Sequence, residues 1–259
     1  MPIPQPLPSL PPDPRRVGMI VPSSNVTMER EIPRFLQEHT NGAGDAFSFH
    51  SSRVRLKNVS LAELVAMNCQ STRAAEELAD AEVAIVLYAC LVAVMVEGPG
   101  AHVAHEARLR DTMLKSGSEA PVLSSAGALV QTLHELGARR VGLLAPYLPS
   151  LTQKVLNYLE AEGIKVVDAH SRGVANNTAV GRLETGSLIL MAQNLRGSLD
   201  AIVLSACVQM PSADQIERAE HLLGVPVISA ATATAYQGLK AMGIQPAIRG
   251  FGKLLAPTA

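Results

Sequence analysis

Apolar residues along this chain come in short unbroken runs, without the alternation of a half-exposed strand. "VGMIV" (Val17 to Val21), "VAIVLY" (Val83 to Tyr88), "VGLLA" (Val141 to Ala145) and "AIVLS" (Ala201 to Ser205) are such runs. They predict strands of a parallel sheet covered on both faces. Helical stretches lie between them and close at "ELG", "AEG" and "AMG", with Gly free to take the left-handed cap conformation. The pattern predicts strands over 17–22, 47–55, 83–88 and 122–124. Helices are expected from about 27 to 38, 61 to 78, directly after Cys90, and 128 to 136. Strands over 141–145, 165–169, 201–205 and 227–229 follow, again with helices between. Strand and helix alternating through short links give an α/β fold of doubly wound parallel sheets.

The two sets of elements are copies of each other. "RRVGMIVPS" from Arg15 returns as "RRVGLLAPY" from Arg139, 124 residues on. "LYAC" ending at Cys90 returns as "LSAC" ending at Cys207, 117 residues on, and "PVLSSAGALV" from Pro121 returns as "PVISAATATA" from Pro226, 105 residues on. Three matches in one order, at shrinking offsets, describe a duplicated unit with a shorter second copy. The expectation is two pseudo-symmetric lobes, each a four-stranded parallel sheet flanked by helices, with the active site in the cleft between them. The first lobe spans 15–125, completed by about 235–259, and the second spans 126–234. Residues 1–14 carry seven prolines and are expected to form a disordered tail.

Ligands of doubly wound sheets bind beyond the carboxyl ends of the strands. Cys90 and Cys207 both fall there, one or two residues past an apolar run. Buried cysteine is often only a small hydrophobe. Twinned at equivalent strand ends, the two thiols instead point to one shared cleft. A thiol that opens a helix has a lowered pKa, and the amides of Leu91, Val92, Val208 and Gln209 could receive a carboxylate or a developing enolate. Cys69 has no twin and reads as structural. Asn25 offers a neutral donor to a carboxylate, and Tyr147 holds the corresponding place in the second copy. Asn176 and Asn177 are each either a helix cap or a ligand grip, while Ser24 and Thr27 read as cap residues.

Composition removes several function classes. The chain has 259 residues, a net charge of −1, no Trp, and four each of Tyr and Phe. That is no surface for nucleic acid or an anionic membrane. Three cysteines without paired spacing fit a reduced cytoplasm better than a disulfide framework. His102 and His105 are spaced for one helix face but lack a third ligand, so no metal is expected. No phosphate-binding loop is present and no cofactor is expected. The Gly-Pro-Gly run at 98–100 is either a turn or a hinged loop.

At "VPSSNVTMEREIP", "LYACLVAVM", "LLAPY", "NNTAVGR" and "LSACVQMPS" the chain resembles the maleate cis–trans isomerases of the aspartate/glutamate racemase superfamily. The likeness runs from about Val17 to the C-terminal "GKLL". It implies cofactor-independent conversion of maleate to fumarate through a succinyl-cysteine intermediate, with Cys90 as nucleophile and Cys207 as proton donor. It also implies that Asn25, Tyr147, Asn177 and the amides after each cysteine hold the two carboxylates. Val26 departs from the family's usual Thr, which bears on substrate grip. A cysteine-dependent racemase or decarboxylase of a small dicarboxylate is the alternative, and a non-catalytic dicarboxylate-binding protein a second one. The homodimer is the expected assembly.

Overall fold

A computed structural model describes residues 14–257 of the chain. The Pro-rich tail expected over 1–14 lies, but for Pro14, outside the described residues. The first half runs β1 (Arg15–Pro22), α1 (Met28–Ala43), β2 (Phe47–Val54), α2 (Leu61–Asp80), β3 (Ile85–Tyr88), α3 (Leu91–Met95), α4 (Ala101–Lys115), β4 (Val122–Ser124) and α5 (Ser125–Glu135). The second half runs β5 (Arg140–Ala145), α6 (Pro149–Ala161), β6 (Lys165–Ser171), α7 (Asn177–Val180), α8 (Gly186–Gln193), β7 (Ala201–Ser205), α9 (Ile216–Leu223), β8 (Val227–Ser229) and α10 (Ala230–Ala241). Each half forms one four-stranded sheet, in the orders β2-β1-β3-β4 and β6-β5-β7-β8, with every strand pair parallel. The duplication read from the chain is thus a duplication of topology.

The central strands are buried, apart from the arginines that open β1 and β5, because helices cover both sheet faces. β3 and β7 have no exposed residue. Helix α10 crosses to the first half, where Gly238 lies close enough to Leu87 that an added Cβ would stand 3.3 Å from its side chain. Phe251 beyond it stacks edge-on against Phe35 of α1, ring centres 4.8 Å apart. Among the described residues no helix is long and apolar enough to cross a membrane.

Two local expectations change. Helix α1 continues past Glu38 to Ala43 and ends where Gly44 takes φ of 84°. No α-helix opens at Cys207. Residues 206–212 form a turn, followed by a single 3-10 turn at Ala213–Gln215 and then α9. Ser205 causes this: its hydroxyl donates to the carbonyls of Cys207 (2.8 Å) and Met210 (3.1 Å), committing acceptors to a turn.

Candidate active site

One cavity between the halves is lined by Asn25, Cys90, Leu91, Val92, Tyr147, Asn177, Cys207, Val208 and Gln209. These are the nine residues expected from the sequence. The rest of its wall is Pro22, Leu56, Val59, Leu64 and Ala89. The wall contains no Lys, Arg or His, so any carboxylate inside must be held by neutral donors. Its free space is about 20 Å³, room for a single water. The halves are therefore shut on one another, and both thiols are only 7% exposed.

Cys90 follows β3 directly and caps α3. Ala89 is tied back to β1 by its N–H on the Ile20 carbonyl at 2.8 Å, so the thiol is delivered at the strand end. As the first amides of α3, the Leu91 and Val92 N–H groups have no helical acceptor. Behind the helix, Asn68 of α2 donates to the Ala93 carbonyl (2.6 Å) and to Glu97 (2.8 Å), and accepts from the Tyr88 hydroxyl. Cys207 is set by different means. Ala206 N–H bonds to Leu144 O at 2.9 Å, Tyr147 donates to Ala206 O at 2.9 Å, and Gln209 N–H points at the Cys207 sulfur at 3.4 Å.

Burial decides the electrostatics. It pushes the Cys90 thiol up to about 12, outweighing the Ala93 N–H that pulls it down, and Cys207 adds to the rise. Cys207 is raised as well, again by burial first; Tyr147 and the amides of Gln209 and Met210 act against the rise, while Glu31 adds to it. The lowered thiol pKa expected at a helix start is therefore reversed in the shut cavity. A five-residue helix has little dipole to offer, and desolvating a thiolate costs more than one amide returns. The Tyr147 phenol is raised well above its usual value for the same reason.

The remaining expectations sort themselves by hydrogen bonding. Asn25 Oδ1 accepts from Thr27 N (2.9 Å) and Met28 N (3.0 Å), so Asn25, and not the Thr27 hydroxyl, caps α1. Its Nδ2 is buried without a protein acceptor, a donor free for a ligand. Asn176 is the cap of α7, through Ala179 N at 2.8 Å, leaving Asn177 buried with Nδ2 on the Ser24 hydroxyl at 2.9 Å. The Val26 side chain is half exposed and lies outside the cavity wall. Cys69 is exposed, not part of the packing. His105 is buried against the Tyr88 ring (centres 4.3 Å apart) and lowered to about 4, chiefly by burial, while His102 meets the Tyr158 hydroxyl. The Gly98–Gly100 run is a turn into α4 and does not line the cavity. Leu56 and Val59 went unread in the sequence. Their one signal is that two apolar residues interrupt a polar link, "RVRLKNVS", between β2 and the α2 cap.

Two matched parallel sheets that bring one thiol each to a shared, cation-free cavity define a two-lobed, twin-cysteine α/β fold. The family model of arylmalonate decarboxylase matches residues 17–255. Maleate isomerase of Alcaligenes faecalis is 47% identical over 243 residues, covering 93% of this chain and 96% of the relative. Maleate isomerase of Pseudomonas putida S16, solved as a Cys-to-Ala variant with maleate, superposes with a TM-score of 0.93 at 42% identity, covering 94% of this chain and 98% of that one. A Nocardia farcinica maleate cis–trans isomerase, solved as a Cys-to-Ser mutant with a covalently bound succinylcysteine intermediate, gives 0.92 at 47% identity, covering 95% and 100%. The chain belongs to the arylmalonate decarboxylase family and, within it, groups with the maleate isomerases.

Proposed function

We propose that this protein isomerises maleate to fumarate without a cofactor, through a succinyl-cysteine intermediate. The observation that carries the reading is a pair of thiols from equivalent strand ends in one enclosed cavity whose polar groups are neutral donors. Relatives of the same length that are named maleate isomerases, one of them solved with succinylcysteine, support it.

Rotation about a C=C bond is prohibitively slow, whereas a C–C single bond turns freely. With its proton released to solvent, the Cys90 thiolate forms a C–S bond to one alkene carbon, and the π electrons move onto the other carbon and its carboxylate. Asn25, Tyr147, Asn177 and the main-chain N–H groups of Leu91, Val92, Val208 and Gln209 hold the two carboxylates and stabilise that charge. Cys207 gives its proton to the carbanion, leaving a thiolate and a thioether. After half a turn about the new single bond, the Cys207 thiolate takes a proton back from the same carbon, the C–S bond breaks, and fumarate leaves with Cys90 restored. Burial first, with Glu31 adding the least, raises Cys207, so that sulfur holds its proton until the carbanion forms. The catalytic lobes are residues 15–125 with 235–259, and 126–234, working as a cytoplasmic homodimer.

Proton NMR of reduced protein with maleate, without added metal or nucleotide, tests the reading. Growth of the fumarate singlet, lost in Cys90→Ala, is the expected result. Exchange of a substrate α-proton with deuterated water, without fumarate, would move the assignment to a racemase or decarboxylase of a related diacid.

A further inference from the structure

Gln209 stands two residues past Cys207, and its side chain leaves its own half of the molecule. Oε1 accepts from the main-chain N–H of Val26 at 2.9 Å and of Thr27 at 3.3 Å. Nε2 donates to the main-chain oxygens of Ser24 at 3.1 Å and Asn177 at 2.9 Å. Its own main-chain N–H is the one directed at the Cys207 sulfur. The residue is 2% exposed. One carboxamide thus joins three pieces of the cavity: the Asn25 loop after β1, the Asn177 turn, and the Cys207 turn. The halves also meet where Val59 N–H bonds Ala175 O at 2.9 Å and Asn58 bridges Asn176, but those bonds lie between main chains that any side chain would leave intact.

We propose that Gln209 is a positioning residue whose carboxamide latches the Cys207 turn to the Asn25 loop, holding the cavity shut and the two thiols in register. Its effect on turnover rests on the isomerase reading, whereas the latch itself belongs to the ligand-free protein. Two acceptors and two donors must be met at once, and among side chains of this length only a neutral amide does so. Glutamate would keep the two bonds to N–H groups and turn an oxygen toward two carbonyls, repelling both and leaving that of Ser24 without its donor, while the Asn177 carbonyl keeps only the Gly181 N–H at 3.4 Å. Gly181 belongs to the same device. A Cβ there would stand 2.6 Å from Gln209 Nε2 and 3.1 Å from Val26 Cγ2. An amide pinned by four bonds cannot swing aside without giving some of them up.

The exposed Cys69 provides an internal reference for the test. Ligand-free wild type, Gln209→Glu and Gly181→Ala are treated with iodoacetamide at pH 8, and each cysteine is followed by peptide mass spectrometry. Losing the two donated bonds should open the cavity often enough to speed Cys90 and Cys207 about tenfold relative to Cys69. The value of kcat/KM for maleate should fall by a similar factor in both variants. Leu133→Ala, a core variant on α5, lowers stability without touching the latch, and its Cys90 and Cys207 rates relative to Cys69 should match wild type. Unchanged ratios in both latch variants would overturn the proposal, and so would an equal rise in Leu133→Ala. Loss of cavity protection in a protein that does not convert maleate would uphold the latch and remove the isomerase reading alone.

Discussion

The two thiols occupy equivalent strand ends in sheets of identical strand order, yet their surroundings are built differently. Cys90 begins a short helix braced from behind by buried Asn68 and Tyr88, with the more exposed Glu97 bonded to Asn68. Cys207 sits in a turn shaped by the Ser205 hydroxyl, with Tyr147 beside it and Glu31 reaching in from the other half. Glu31 is itself buried, and its Oε1 receives the N–H groups of Ser212 (2.9 Å) and Ala213 (3.0 Å). Duplication thus delivered two sulfurs to one cavity, and divergence after each strand end gave them different surroundings. Against the burial that raises both sulfurs, Cys90 has a single amide, that of Ala93, while Cys207 has Tyr147 and two amides, with Glu31 the smallest cause adding to its rise.

The strongest way to break this comparison is to remove one sulfur at a time. Cys90→Ala should lose at least about a thousandfold in kcat, since the one other thiol in the cavity wall, Cys207, is assigned to proton transfer. Cys207→Ser should lose about a hundredfold or more and accumulate protein heavier by one maleic acid, with the adduct on Cys90 in peptide mass spectra. An adduct on Cys207 in the Cys90→Ala protein would exchange the two assignments.

A gentler test reads how firmly each thiol holds its proton. With Cys90 raised to about 12 in the folded protein and ordinarily near 9.0, both states are protonated below pH 9. Above it the unfolded chain releases the proton first, so folding stability falls with rising pH until the folded thiol titrates. The Cys90 thiol should remove about 1.4 kcal/mol per pH unit across that window. Urea melts at pH 8.5, 9.5 and 10.5 should show the decline, and Cys90→Ala should flatten it by one thiol's share. The same measurement on Cys207→Ala ranks the two sites. Equal slopes would mean that Glu31 and Tyr147 leave Cys207 no different from its twin.

Much of this was legible in the sequence because repeats and strand ends are local properties. Unbroken apolar runs marked both sheets, and three ordered matches marked the duplication. The cavity wall followed from placing cysteines and donors at strand ends. What followed Cys207 was not legible, because Ser205 decides between helix and turn by bonding carbonyls that only the folded chain brings to it. The thiol acidities were misread for a related reason. Position at a helix start is visible in the sequence, but the shut cavity that desolvates the sulfur is a product of the two halves meeting. The main-chain amide of Gln209 was expected at the site, but the bonds of its side chain were not legible, since those partners lie more than 180 residues away, except for Asn177.

The smallest expected effect concerns Val26, where sequence comparison alone would put a change of substrate grip. The side chain is 53% exposed and absent from the cavity wall. What position 26 supplies is its main-chain N–H on Gln209 Oε1, which every residue except proline retains. A threonine there would exchange one exposed methyl for a hydroxyl facing solvent at the seam, a change of the size seen at open surface positions. Val26→Thr should therefore leave KM for maleate and kcat within about twofold of wild type, where stopped assays over a range of maleate concentrations would measure them. A larger shift in KM alone would mean that the seam reaches into the cavity through Gln209. The side-chain asymmetry between the two thiols would then extend to the loop that carries Asn25.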